Sequence, residues 1–447
     1  MHFLLIKWTI KLKINKNVDF YAKKLHKPKG GDIMKRLGGG ISVLLNFSVK
    51  GFKVFYDEVH FTMQSNNRIK KNLDNLIKQR ASGKEYSVVK SAILYGPNNA
   101  GKSCFLESIE YLTNLIKNKK TKTFFEQNLF SETKEISFKI DFIENSKLFR
   151  YELVLENKKV INEILFINEK IIFNRKEEFF SDVVIKNLYS LIGGYDDRLF
   201  VLMLPIEKYG EDVKDFQNFF DRFEFVKADH TDYDEDELKD FISYFSKLKN
   251  NNPLLKMIKN SDLYINDLQV DPSFYQDLMA QEENGQISDQ TKQLLSLWSI
   301  FNFKGKNYAL PFITVNSLGT QKMAIFSKKV LDALKNNKIL IIDEISRGWH
   351  TILTKNLLSF FNSDINSQAQ MISTSHDLLL LDDVYLFRKD QIWFVYKDSD
   401  GNYLYSLNDF KDNKENDARG NVMIRYLKGL YGALPLPTLG DIFNESN

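Results

Sequence analysis

Residues 92–109, AILYGPNNAGKSCFLESI, run from an apolar strand through glycine, proline and asparagine into lysine, serine and helix-spaced apolar residues. Gly96 to Ser103 fit GxxxxGK[ST] without mismatch, and the strand before and helix after are the context such a loop requires. Its backbone N–H groups must turn inward, so Cβ atoms at the glycine positions would block a bound phosphate. The helix that follows adds the partial positive charge of its N-terminus. Gly96, Pro97, Asn98, Asn99, Ala100, Gly101, Lys102, Ser103 and Cys104 are therefore expected to line ATP. Lys102 would contact the β- and γ-phosphates, and Ser103 would coordinate Mg²⁺. A chance glycine loop is the alternative, and the flanking strand and helix count against it.

Such a loop calls for a carboxylate on a neighbouring strand. KILIIDEIS (338–346) supplies four apolar residues and then Asp343 and Glu344. Asp343 can hold Mg²⁺ through water, and Glu344 is placed to polarise the attacking water. A strand ending in two acids can also simply cap a helix. The Asp-Glu pair favours ATP hydrolysis over a GTP switch, and no guanine-specifying NKxD follows the strand.

QMISTSHDLLLLD (370–382) is another apolar strand with a polar end. Its strand should neighbour that of Asp343, which would let His376 reach the γ-phosphate; a structural histidine is the plainer reading. In VNSLGTQKMAIFSKKVLDAL (315–334), Ser317, Gly319 and Thr320 stand at a helix start, which is an anion site. With one set of phosphates already cradled by residues 96–103, this second site should address the γ-phosphate of another subunit.

Composition sets the outer limits. The chain has 447 residues, enough for two or three domains, and 43% hydrophobic with 27% charged residues is ordinary for a globular protein. The net charge of +4, from 62 basic and 58 acidic residues, is too balanced to imply nucleic-acid binding. No stretch approaches the roughly 20 apolar residues that span a bilayer, which argues against a membrane. One cysteine, Cys104, excludes an intrachain disulfide framework and fits a reducing, cytoplasmic setting.

Five segments are expected. Residues 1–41 form an N-terminal extension with no signal-peptide h-region. Lys29-Gly30-Gly31-Asp32 can be encoded AAA GGA GGT GAT, a ribosome-binding sequence just before the codon for Met34. Translation is thus expected to begin at Met34, with a disordered basic tail as the alternative. Residues 42–174 hold the first part of the nucleotide-binding head. There 43–63 read as two strands around a turn at Gly51, Gln64–Lys84 as a polar link, Val88–Tyr95 as a strand and 135–174 as an antiparallel meander. Residues 175–308 read as a mostly helical insert with a break near 281–288, and the acidic cluster Asp232–Asp240 as a solvated helix face. Residues 309–437 return, from Phe312, to strand, helix, strand, helix, strand, the parallel α/β pattern, and 438–447 are a tail.

The order of loop, Ser-x-Gly-Thr segment, Asp-Glu strand and histidine resembles the ABC-type ATPase heads. More narrowly, the chain resembles bacterial AAA-domain ATPases related to OLD (overcoming lysogenization defect) proteins and to abortive-infection ATPases. The opening LLNFSVKGFKVFYDEVHFTM and the ending DQIWFVYKD…YSL…ARGNVMIRYLKGLYGALP share in this, so the resemblance spans nearly everything from 43 to 437. It implies an α/β P-loop ABC-ATPase head, a mixed or parallel sheet flanked by helices with an antiparallel meander, plus the helical insert. It also implies ATP-driven pairing of two heads. Lys102, Ser103, Asp343, Glu344 and His376 of one copy would be closed by Ser317, Gly319 and Thr320 of the other. A homodimer or higher homo-oligomer and a role in phage defence beside a separate effector follow from the same resemblance. The chain departs from relatives that read DE-x-D-x-x-x-H-P after the catalytic pair. His350 fits, but Ser346 replaces the acid and Thr351 the proline. Gln127 is a weak glutamine-loop candidate.

Three rivals remain in view. A RecF- or SMC-like DNA-clamping ATPase stays open, and with it nucleic acid as a partner, although no heptad run supports a long coiled coil. A transporter ATPase would carry LSGGQ. A self-contained OLD-type nuclease would need a metal-binding domain, but Asp398-Ser399-Asp400 reads as a hairpin turn. Only 71 residues follow His376.

Overall fold

The computed structural model describes residues 42–118, 127–128, 134–157, 159–192, 198–226, 235–248, 252–261, 264–271, 294–383, 385–410 and 421–435. The extension 1–41 with Met34, residues 232–234 of the acidic cluster, the break at 281–288 and the tail 438–447 lie outside the described residues.

The chain opens with β1 (Ser42–Lys50), β2 (Val59–Thr62), β3 (Leu76–Ala81), β4 (Lys84–Val89), β5 (Ser91–Tyr95) and helix α1 (Lys102–Asn118). A run of five strands follows: β6 (Glu135–Glu144), β7 (Lys147–Glu156), β8 (Lys159–Ile167), β9 (Lys170–Asn174) and β10 (Phe179–Phe180). Next come α2 (Val183–Ile192), α3 (Ile206–Asp221), β11 (Phe223–Val226), α4 (Glu235–Ser246), α5 (Pro253–Asn260), β12 (Asp267–Val270), β13 (Leu297–Phe303) and β14 (Lys306–Pro311). The last part holds α6 (Phe312–Val315), α7 (Leu318–Asn336), β15 (Ile339–Ile342), α8 (Thr351–Phe361), β16 (Gln370–Thr374), β17 (Ile392–Lys397), β18 (Asn402–Ser406) and α9 (Val422–Leu427).

The fold is α/β, with the glycine-rich loop following the central parallel strand β5. One sheet has the order β11-β15-β16-β5-β17-β18, parallel except for the final β17–β18 hairpin. All five residues of β5 and all four of β15 are buried, as their unbroken apolar runs require when both faces of a sheet are covered. Ala92, Leu94, Ile339 and Ile341 face α1 and the meander, whereas Ile93, Tyr95, Leu340 and Ile342 face α7 and α8. The second sheet is antiparallel, β10-β9-β8-β7-β6-β1-β2, and matches the alternation read in 135–174. Its inner face meets α3 through stacked rings, with Phe142 and Phe219 centroids 3.8 Å apart.

Several expectations need correction. Between the P-loop strand β5 and the Asp343 strand β15 lies β16, so those two are not neighbours. The strand ending before His376 pairs with both, Met371 opposite Ser91 on one side and opposite Leu340 on the other. The expected strand Val88–Tyr95 is broken at Lys90, which is buried and donates to the carbonyls of Asp74 (2.6 Å) and Ser363 (2.9 Å). The polar link holds β3 and the turn into β4, which runs on through Val88 and Val89, and the second strand of 43–63 begins only at Val59. Phe312 starts a short helix instead of a strand.

Among its described residues, the stretch 175–308 supplies four helices but also β11, which pairs in parallel with β15 and so belongs to the same sheet. It also carries β12 and β13 of the three-stranded sheet β12-β13-β14. The strands β11 and β12 are only four residues long, and the Lys304-Gly305 turn between β13 and β14 was a hairpin signal that the sequence reading passed over. Nor is the acidic cluster simply solvated. Its Glu237 and Asp240 pair with Lys329 and Lys328 of α7, while Leu238 between them is buried.

Candidate nucleotide site

The loop after β5 is shaped by two close approaches. A Cβ on Gly96 would lie 2.2 Å from the Val395 carbonyl oxygen, and one on Gly101 would lie 2.8 Å from Val54 Cγ2. Both glycines have positive φ, and Asn99 between them takes the left-handed region, which asparagine tolerates better than most residues. From across the sheet, the buried Asn402 Nδ2 at the start of β18 donates to Ala100 O at 2.6 Å. Nothing in the sequence pointed to Asn402, because the contact joins residues some 300 positions apart.

Lys102 opens α1 with its side chain folded back over the loop. Its Nζ donates to Gly96 O and Pro97 O, both at 2.9 Å. Burial lowers its pKa to about 8, against the opposing pull of Asp343 and Glu344. An ammonium held on two carbonyls in a partly dry loop can be released to anionic oxygens when they enter.

Ser103 Oγ donates to Asp343 Oδ2 at 2.8 Å, so the first helical turn reaches over the end of β16 to the tip of β15. Asp343 Oδ1 accepts from Thr374 Oγ1 at 2.6 Å, and the same hydroxyl accepts from the Glu344 N–H at 2.7 Å. The Asp343 amide is itself tied to Val226 O of β11. Glu344 adopts a left-handed backbone (φ 54°), unusual for a glutamate and maintained only where neighbours enforce it. Its carboxylate lies 3.8 Å from His376 Nε2 and 3.6 Å from Arg347 Nη1. Burial and then Lys102 lower the His376 pKa, with Glu344 and Asp343 pulling the other way, so the net shift favours the neutral ring. Thr374 escaped the sequence reading, although a polar STS run ending an apolar strand was the available signal.

The structure thus brings Lys102, Ser103, Asp343, Glu344 and His376 to one edge of the parallel sheet, at the carboxyl ends of its strands, where α/β proteins bind ligands. It does not bring Ser317, Gly319 and Thr320 to them. Ser317 caps α7, its Oγ accepting from the Thr320 N–H at 3.2 Å and lying 3.0 Å from Thr320 Oγ1. Gly319 instead meets the loop after Glu344, since a Cβ there would lie 2.2 Å from Gly348 O. Gln127 bridges Phe52, in the turn whose Val54 and Phe55 pack on Gly101. Asp398–Gly401 form the β17–β18 turn, where Asp398 Oδ1 accepts the amides of Asp400 and Gly401.

The residues fit a magnesium nucleotide on the chain's own chemistry. A hydroxyl and a carboxylate, hard oxygen donors of the kind Mg²⁺ takes, already meet at Ser103–Asp343. Gly96 and Gly101 let the loop lie close against Val395 and Val54, where any Cβ would collide.

No curated protein sequence matches the chain at a significant level. Among solved structures, the SMC head domain from Thermotoga maritima aligns over 81% of this chain and 98% of its own, at 10% identity and TM-score 0.39. An SmcHead bound to the C-winged helix domain of ScpA aligns over 81% of this chain and 97% of its own, at 11% identity and TM-score 0.40. A family model matches residues 91–382, from β5 through the P-loop, the Asp-Glu strand and the histidine segment. Since that span exceeds half of the chain, the protein belongs to the family described as "AAA domain, putative AbiEii toxin, Type IV TA system".

Proposed function

We propose that the protein binds Mg²⁺-ATP at the P-loop and hydrolyses it to ADP and phosphate. The contact that carries this reading is Ser103 Oγ to Asp343 Oδ2, 2.8 Å, which joins the loop to the acidic strand end. Gly96 to Cys104 wrap the phosphates, and Lys102 turns from its two carbonyls to the β- and γ-oxygens. Mg²⁺, held by Ser103 and Asp343, would neutralise phosphate charge when bound. Glu344 takes a proton from water, and His376, 3.8 Å from it, can hydrogen-bond the γ-phosphate. Ser317, Gly319 and Thr320 lie apart from this cluster, and a second copy of the chain supplies them.

In the cell we place this ATPase as a sensor or regulator of bacterial antiviral defence, close to the OLD and abortive-infection ATPases and working with a separate effector. The family description, with its AbiEii toxin and toxin–antitoxin system, supports that setting. The test has two parts. Purified protein should release phosphate from ATP in the presence of Mg²⁺, and absence of turnover in the wild type would sink the enzymatic reading. Expression with its neighbouring genes should protect cells from phage, and Lys102→Ala should remove the protection. Protection by the protein alone would overturn the separate effector. Tight ATP-dependent binding to duplex DNA without any protection would favour a DNA-clamping role instead.

A further inference from the structure

The loop from β15 to α8 touches the histidine segment on both sides of His376. Ser346 Oγ lies 2.9 Å from Ser375 Oγ, and Thr351 Oγ1 donates to Asp377 Oδ2 at 2.5 Å. Those partners are fixed in turn. The Ser375 amide donates to Leu94 O of β5, the Asp377 amide to Ser375 Oγ (3.0 Å), and the Tyr95 hydroxyl to Asp377 O (3.2 Å). Ser375 is fully buried, whereas the His376 side chain is 44% exposed. A half-exposed ring takes its aim largely from the main chain on either side, and a misplacement of about 1 Å at a reacting group can cost on the order of 100-fold in rate.

Ser346 and Thr351 are also the two positions where this chain departs from the DE-x-D-x-x-x-H-P run. Each departure installs a hydroxyl, and each hydroxyl is used on the histidine segment. The same loop passes under the start of α7 at Gly348–Gly319. It therefore meets the Ser317–Thr320 corner by a close backbone approach and the residues on either side of His376 by side-chain hydrogen bonds.

We propose that Ser346 and Thr351 are positioning residues that hold the His376 segment from both sides, so that the imidazole faces Glu344. The proposal rests on the ATPase reading above for its kinetic consequence but not for its structural one. In Ser346→Ala/Thr351→Val the kcat for ATP should fall about 10- to 100-fold while KM stays within about twofold. Thr351→Ser should restore most of the loss attributable to that position. In a His376→Ala background the same pair should cost nothing further, because residues acting through one group are not additive.

A second readout needs no turnover. With ¹⁵N-histidine labelling, the His376 ring signal, identified by its loss in His376→Ala, should shift and broaden in the double variant, with the His60 signal unchanged as a control for folding. An inactive wild type would defeat the ATPase reading and leave this spectrum to decide the clamp. An unaltered His376 signal, or a full additional loss of rate in the His376→Ala background, would overturn the proposal.

Discussion

The Thr374 hydroxyl sits between Asp343 and Glu344, 2.6 Å from the carboxylate of one and 2.7 Å from the amide of the other. Thr374→Val keeps the shape and removes both bonds, leaving a partly buried amide and a carboxylate oxygen short of a partner. Such losses cost about 1–3 kcal/mol. We expect a stability loss in that range, a raised Mg²⁺ requirement and a kcat reduced about tenfold or more. Thr374→Ser should behave close to wild type. Phosphate release titrated against Mg²⁺ is the check, and an unchanged Val variant would show that Asp343 and Glu344 need no such bridge.

Lys102→Ala should abolish nucleotide binding. Its ammonium is the side-chain cation over the loop, and without it the loop would offer the phosphates only backbone dipoles beside the metal. Calorimetry with ATP checks this, and wild-type affinity in the variant would refute the assignment of the loop.

Glu344→Gln keeps the side-chain shape but cannot act as a base. ATP should remain bound while hydrolysis nearly stops, and the trapped nucleotide should hold two heads together. Light scattering with and without ATP measures the mass. A monomer under both conditions would speak against closure of the site by a second copy.

The local parts of this site were readable because they obey short-range rules. The P-loop needs eight consecutive residues, and the Asp343–Glu344 end announces itself after Ile339–Ile342. Strand order was not readable. Nothing in KILIIDEIS tells that β16 separates it from β5, since parallel strands are paired by packing, not by sequence neighbourhood. The same holds for β11, four residues whose edge position depends on pairing with Ile339–Ile342. Gly319 is instructive in another way. The sequence offered it as an anion site, and the structure gives it a contact with Gly348 in the same chain. One glycine can serve both demands, which the sequence could not disclose.

Lys90 offers a prediction about stability. It interrupts β4 and β5, is 3% exposed, and its ammonium is held by two carbonyls. Burial lowers its pKa to about 8, against the opposing pull of Asp364 and Asp74. The unfolded chain should titrate nearer the ordinary lysine value of about 10.4. Between the two values the unfolded state binds more protons, so this group makes stability rise with pH there. Below pH 8 the full penalty of keeping the buried ammonium charged applies, on the order of 3 kcal/mol for a shift of this size. Lys90→Met removes the charge and with it this pH dependence. The gap in unfolding free energy, wild type minus variant, should therefore climb as pH rises from about 8 toward 10.4 and level off on either side. Denaturant titrations at pH 7, 9 and 10.5 give that gap directly. A gap that stays flat, or that falls with pH, would mean that the folded protein holds Lys90 at an ordinary lysine pKa or above it.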